Sequence, residues 1–172
     1  MPPSQPPPTY STLSTPLLSS ANLTQPPAHA LTTSLTATIS SLQLHPTLEA
    51  TLHILNHDLP SAHFLVRHMQ APPALEGMLL HSILHRSEGD MRNARLWLGD
   101  VGDACAGYVP KKRDAGTRLE GWVAEGVRGR GGGGGVAAGV CVWGGGVEAG
   151  LRIVGEVEGW RKREGGGRRG SS

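Results

Sequence analysis

Residues 48–69 (LEATLHILNHDLPSAHFLVRHM) align without a gap on residues 80–101 (LHSILHRSEGDMRNARLWLGDV), an offset of 32 residues. Leu48, Leu52, His53, Asp58 and Ala62 meet identical residues at Leu80, Leu84, His85, Asp90 and Ala94, while Phe64 and Leu65 meet Leu96 and Trp97. Self-similarity at a fixed period marks a chain built from copies of one supersecondary unit. Within each copy the apolar residues recur at helical spacing, break at a turn, and resume at helical spacing. Gly89, and Asn56 or His57 in the first copy, stand where a helix ends in a left-handed residue. Asp58 and Asp90 follow as N-caps, their carboxylates accepting orphan N–H groups of the next helix. Pro60 falls in the first turn of that helix, where its missing N–H is tolerated. Ala62 and Ala94 are small enough to let two helices approach closely, and Trp97 reads as the core anchor of the second copy. The expected fold class is all-α: two αα-hairpins forming a small helical bundle over residues 46–103.

The fragments EGDMRNARLW and HDLPSAHFL resemble the tetratricopeptide helix-turn-helix, which implies hairpins that stack as repeats. The period lies near the roughly 34 residues of that family, although the family's large aromatic early in the first helix is missing. The longer phrases SAHFLVRH and LHSILHRSEGDMRNARLW are similar to a family of fungal helical proteins with the pattern H-x-I-L-H-R-x-E-G-D-x-x-N-A-R-x-W. It falls on His81, Ile83, Leu84, His85, Arg86, Glu88, Gly89, Asp90, Asn93, Ala94, Arg95 and Trp97. This resemblance covers about residues 46–103, implies a shared helical fold and brings no activity with it. Met91 and Leu98 stand where relatives often carry aromatics, and the glycine-rich end of this chain departs from the family's charged helical C-terminus.

The flanks differ in kind. Residues 1–45 hold no Asp, Glu, Lys or Arg and are rich in Pro, Ser and Thr. Such a stretch buries too little apolar surface to offset its ordering entropy, so a disordered tail is expected. A stripe of Leu31, Leu35, Ile39 and Leu42 has helical spacing, within a Thr/Ser run that disfavours the helix. Residues 104–172 read as a Gly-rich low-complexity tail with short helical patterns at 117–127 and 147–163; 23 of the 25 glycines follow residue 98. A core of about 60 residues is marginal alone. A contribution from residues 30–44, from 147–163 or from a partner protein is therefore expected.

A formal net charge of +2 selects no class of charged partner. Two cysteines, Cys105 and Cys141, do not make a disulfide framework, which points to a reducing compartment. The start of the chain lacks a basic-then-apolar signal, and no apolar run approaches the ~20 residues of a membrane span. A cytoplasmic or nuclear protein without a membrane partner is expected. The stretches VRGRGGGGG (127–135) and WRKREGGGRRG (160–170) contain too few Arg-Gly steps, diluted by Glu156, Glu158 and Glu164, to indicate nucleic-acid binding. Pro7, Pro8 and Tyr10 form a PPxY pattern, the ligand of WW domains, in which a polyproline segment docks on an aromatic groove.

One cluster carries chemistry. His81 and His85 are four apart and share a helix face. The 32-residue register places Glu49 and His53 at the equivalent positions of the preceding helix. Side-by-side stacking of the two helices would bring Glu49, His53, His81 and His85 together, a ligand set for zinc or another divalent transition metal. Glu88 and Asp90 are near enough in sequence to support those ligands or act as a general base. This is not the H-E-x-x-H zinc-protease motif, because Ser82 follows the first histidine. Histidines bordering a leucine stripe more often hydrogen-bond to carbonyls or carboxylates. The leading expectation is a non-enzymatic helical interaction module that binds a protein or peptide. The alternative is a metal-binding helical protein, in its enzymatic form a hydrolase, using the His/Glu cluster.

Overall fold

A computed structural model describes residues 7–110 and 116–129. Among these residues the fold is all-α, with α1 (Tyr10–Ser20), α2 (Leu35–Ser41), α3 (Pro46–Leu55), α4 (Leu59–Val66), α5 (Leu75–Glu88), α6 (Met91–Cys105) and α7 (Gly121–Gly129). An isolated antiparallel bridge joins Tyr108 to Arg118 ahead of α7.

The two copies of the repeat are the hairpins α3–α4 and α5–α6, and they turn in the same way. His57 and Gly89 adopt left-handed φ values of 60° and 89°. The amide of Asp58 bonds the carbonyl of His53 at 2.9 Å, and the amide of Asp90 bonds the carbonyl of His85 at 2.8 Å. The amides of His57 and Gly89 bond the carbonyls of Ile54 and Arg86. This paired set closes each first helix as a Schellman turn, satisfying carbonyls that the helix itself leaves open. The next residue then opens the second helix: Asp58 accepts from the Ser61 amide at 3.3 Å and Asp90 from the Asn93 amide at 3.0 Å. A turn this short fixes the two helices of a hairpin as antiparallel neighbours.

Small residues set the helix spacing. Ala62 and Ala94 are fully buried, and Ser82 on α5 donates to the Ala94 carbonyl at 2.8 Å. Between the hairpins, α5 meets the segment after α4 at Gly77, where an added Cβ would collide with Met69. Trp97 is half-buried, against the apolar cluster of Leu75, Met78, Val101, Ala104 and Val127 that joins α5, α6 and α7. Ala50, Ile54, Leu59, Ala62, Val66 and Leu84 form the cluster that joins α3, α4 and α5.

The ordered chain extends beyond the boundaries of 46 and 103. Leu17 of α1 and Ile39 of α2 pack on Leu52 and Leu55 of α3. Burying two such side chains contributes about 1.5–3 kcal/mol each, which opposes the poor helix propensity of their Ser/Thr-rich surroundings. In α1 those hydroxyls turn inward on the helix: Thr15, Ser19 and Ser20 donate to carbonyls four residues back. Asn56, fully buried, ties the connecting segment down through both amide atoms to the Thr32 backbone, at 3.1 and 3.0 Å. The Asn22 amide donates to His57 Nε2 at 3.0 Å, and burial holds that imidazole below its ordinary pKa. Residues 10–41 thus supply the third layer that two hairpins lack. At the other end, α6 runs to Cys105 and α7 adds Val127 to the core, so the helical pattern at 117–127 is realised at 121–129. The 147–163 pattern lies outside the described residues. Cys105, at the end of α6, is disulfide-bonded. No helix among the described residues is long and apolar enough to cross a membrane.

Both cap carboxyls sit below the ordinary range. Burial alone would raise Asp58, but hydrogen bonds from Thr36 and Ser61 and the nearby His53 outweigh it. Asp90 is lowered first by the Asn93 amide, against burial, and then by the Asn93 side chain, His85 and Arg92. A depressed folded pKa stabilises the fold fully above the unfolded carboxyl value of ~4 and loses that contribution as pH falls through it. Asp90→Ala should cost about 1 kcal/mol in urea unfolding at pH 7. Asp58→Ala should cost about 1 kcal/mol more, because Asp58 Oδ2 also accepts from Thr36 Oγ1 of α2 at 2.7 Å. Both differences should shrink at pH 3; equal costs for the two variants would contradict the extra role of Asp58.

Candidate metal centre

The hairpin turns decide where the histidines go. His81 and His85 lie one turn apart on α5, with rings stacked at 5.1 Å and 10°. The helix beside them at this point is α4, the second helix of the first hairpin, and it contributes His63. The His63 ring meets His81 at 5.3 Å and His85 at 5.1 Å, both edge-to-face. One ligand atom from each of the three imidazoles lies within 4.8 Å of the others. His81 is buried and its far face stacks on Trp97 of α6 at 4.1 Å and 10°. Three helices therefore hold the cluster, and His81 is clamped between an imidazole and an indole.

Glu88, in the last turn of α5, flanks the cluster. Its Oε1 is 3.2 Å from His63 Nε2 and its Oε2 is 3.0 Å from His85 Nδ1. One carboxylate thereby spans two of the three histidines and ties α4 to α5. Glu88 is 30% exposed and His63 36% exposed, so by themselves these pairs add little to stability. A motif neighbour, Arg86, has its Nε buried without a hydrogen-bond partner among the described residues, and burial lowers its guanidinium from its ordinary value.

The expected quartet of Glu49, His53, His81 and His85 is divided between two places. His81 and His85 do come together, but their third imidazole is His63. His53 and Glu49 form a separate network on α3: His53 Nε2 is 3.8 Å from Glu49 Oε1, and His53 Nδ1 is 3.2 Å from Asp58 Oδ2. The second approach is close enough for ion pairing, but its geometry is not that of a hydrogen bond, since His53 Nδ1 has no such partner. His53 is 1% exposed, and its neighbours are the cap of α4 and its own helix.

His63 escaped the sequence reading because the 32-residue offset pairs it with Arg95, not with another histidine. A usable signal existed: in stacked hairpins the second helix of one lies against the first helix of the next, so histidines on α4 belong in the same comparison as those on α5. The PPxY residues also fall in an unexpected setting. Thr9 caps α1 in a reciprocal pair of bonds with Thr12, at 2.8 and 3.2 Å. Tyr10 is already helical and packs against the cluster of Leu17, Ile39, Leu52 and Leu55, while Pro7 and Pro8 are exposed. Docking as an extended ligand would require the first turn of α1 to unwind. A recess of about 340 Å³ between the end of α6 and α7, lined by Tyr108, Arg118, Leu119 and Val127 among others, does not include the histidines.

No protein-family model, curated protein or solved structure matches the chain.

Proposed function

We propose that this chain is a helical metal-binding protein that holds a divalent transition ion, zinc foremost, through His63, His81 and His85. The observation that carries the reading is the convergence of three imidazoles, each from a helix, with ligand atoms within 4.8 Å of one another. Imidazole suits zinc, copper, nickel and iron. Tetrahedral zinc with Zn–N bonds of about 2.0–2.1 Å sets its nitrogens roughly 3.4 Å apart. The ligand atoms lie within 4.8 Å of one another, so binding draws the rings closer together. Burial of His81 and its stack on Trp97 limit the rearrangement needed, so less ordering cost opposes binding.

Protein purified without a histidine tag should take up one zinc per chain. His63→Ala and His85→Ala should each lose it, while Glu49→Ala, in the separate network, should keep it; circular dichroism confirms that each variant is folded. Full zinc occupancy in both histidine variants would contradict the assignment.

A second reading, a helical module that binds a protein partner, is supported by a different observation. Phe64 and Leu96 occupy the same place in the two copies of the repeat, and both are exposed, at 56% and 40%. Arg67 lies 4.5 Å over the Phe64 ring and His68 abuts it at 5.6 Å, which restrains the aromatic on the surface of α4. On this reading a folded Phe64→Ser/Leu96→Ser variant loses a stoichiometric partner that co-purifies with the wild-type chain from its own cells. Equal recovery of that partner by the variant ends it.

A further inference from the structure

We infer that Trp97 is a positioning residue of the metal centre: its indole holds His81 as the fixed ligand on which His63 and His85 close. The inference rests on the proposal that these three histidines hold the ion. It adds which of the ligands is anchored, and by what.

The anchor is built into the second hairpin. Ala94 is fully buried and its carbonyl accepts from Ser82 Oγ at 2.8 Å, which fixes α6 against α5 at the residue beside His81. Trp97, one turn beyond Ala94, then meets His81 with the two rings 4.1 Å apart and 10° from parallel. Trp97 also packs on the core cluster shared by α5, α6 and α7, so the indole is seated and not merely laid on the surface. The 32-residue offset puts Glu49 and Leu65 at these two places in the first copy. Both rings of the stack therefore belong to the hairpin that carries two of the three proposed ligands.

Ring geometry then decides which ligand stays still. An imidazole offers its lone pair in the plane of its ring. His81 and His85 are stacked at 5.1 Å and 10°, and the lone pairs of two such rings do not meet at one ion until a ring tilts. His81 is the less free of the two. It carries a ring on each face and is 3% exposed, whereas the side chains of His85 and His63 are 13% and 36% exposed. Tilting His81 would break its contact with the indole; turning His85 or His63 leaves that contact intact. The ion also reinforces the stack, because a coordinated imidazole gives up electron density and the negative face of an indole attracts such a ring. A leucine in place of Trp97 would fill volume without offering a flat face. His81 would then be free to rotate, and binding would carry the cost of ordering it.

Zinc affinity of the whole chain, free of tags, is measured by competition with a chromophoric chelator for wild type, Trp97→Leu, Trp97→Phe and Val101→Ala, each checked for folding by circular dichroism. Leucine is the residue that the first copy holds at this position, and Val101→Ala weakens the same core cluster without touching the stack. Trp97→Leu should bind zinc about tenfold more weakly, the scale for losing a group that orients a ligand ring. Trp97→Phe keeps a flat ring and should recover part of the loss, while Val101→Ala should bind as the wild type does. A second readout leaves Trp97 in place. With Trp122, Trp143 and Trp160 replaced by Phe, the emission of Trp97 should change with zinc and saturate at one ion per chain; where Trp97→Leu fails to fold, that emission decides. Wild-type affinity in folded Trp97→Leu, equal losses in Trp97→Leu and Val101→Ala, or zinc bound with no change in Trp97 emission overturns the positioning role and leaves the three histidines in place. A wild type that binds no zinc overturns the centre itself.

Discussion

Everything positioned in this molecule depends on one turn used twice. A left-handed residue, His57 or Gly89, is followed immediately by an aspartate whose amide closes the helix behind it and whose carboxylate opens the helix ahead. Because no linker residues intervene, each hairpin is rigidly antiparallel, and the only freedom left is how one hairpin lies on the other. Gly77 settles that by letting α5 come against Met69, where a larger residue would collide. The helix thus brought beside α5 is α4, and His63 comes with it.

The same turn explains why two similar histidines have different surroundings. His53 and His85 hold the same position, four residues before the left-handed residue of the turn, and both carbonyls accept the bond from the capping aspartate. Their side chains diverge because their neighbours do. His53 points among the carboxylates of Glu49 and Asp58, the latter held by Thr36 of α2. His85 meets Glu88 and the two other imidazoles. The first helix of the first copy supports the N-terminal layer, while α4 of that copy and α5 of the second together build the cluster that carries the proposed chemistry.

Local patterns proved readable where the interactions are local. The hairpins, the left-handed residue before each capping aspartate and the close contacts at Ala62 and Ala94 all follow from residues within one turn of each other. What escaped the sequence is long-range. Helices α1 and α2 lack the composition of helices, and their order comes from Leu17 and Ile39 finding α3 and from Asn56 holding the Thr32 backbone. Of those contacts only Ile39 left a periodic trace, in the stripe of Leu31, Leu35, Ile39 and Leu42; Leu17 and Asn56 left none. The cluster at α4 and α5 is a second instance: the repeat offset compares first helices with first helices, while packing compares the second helix of one hairpin with the first of the next. His81 and His85 were legible from their own spacing; His63 required the packing.

The central claim is that three histidines from adjacent hairpins, His63, His81 and His85, hold one metal ion. X-ray absorption at the zinc edge of the zinc-loaded chain tests it most directly. The account predicts a four-coordinate shell at about 2.0–2.1 Å with nitrogen and oxygen neighbours and the multiple-scattering pattern of three imidazoles. A shell of six light atoms, or one with fewer than two imidazoles, would contradict it.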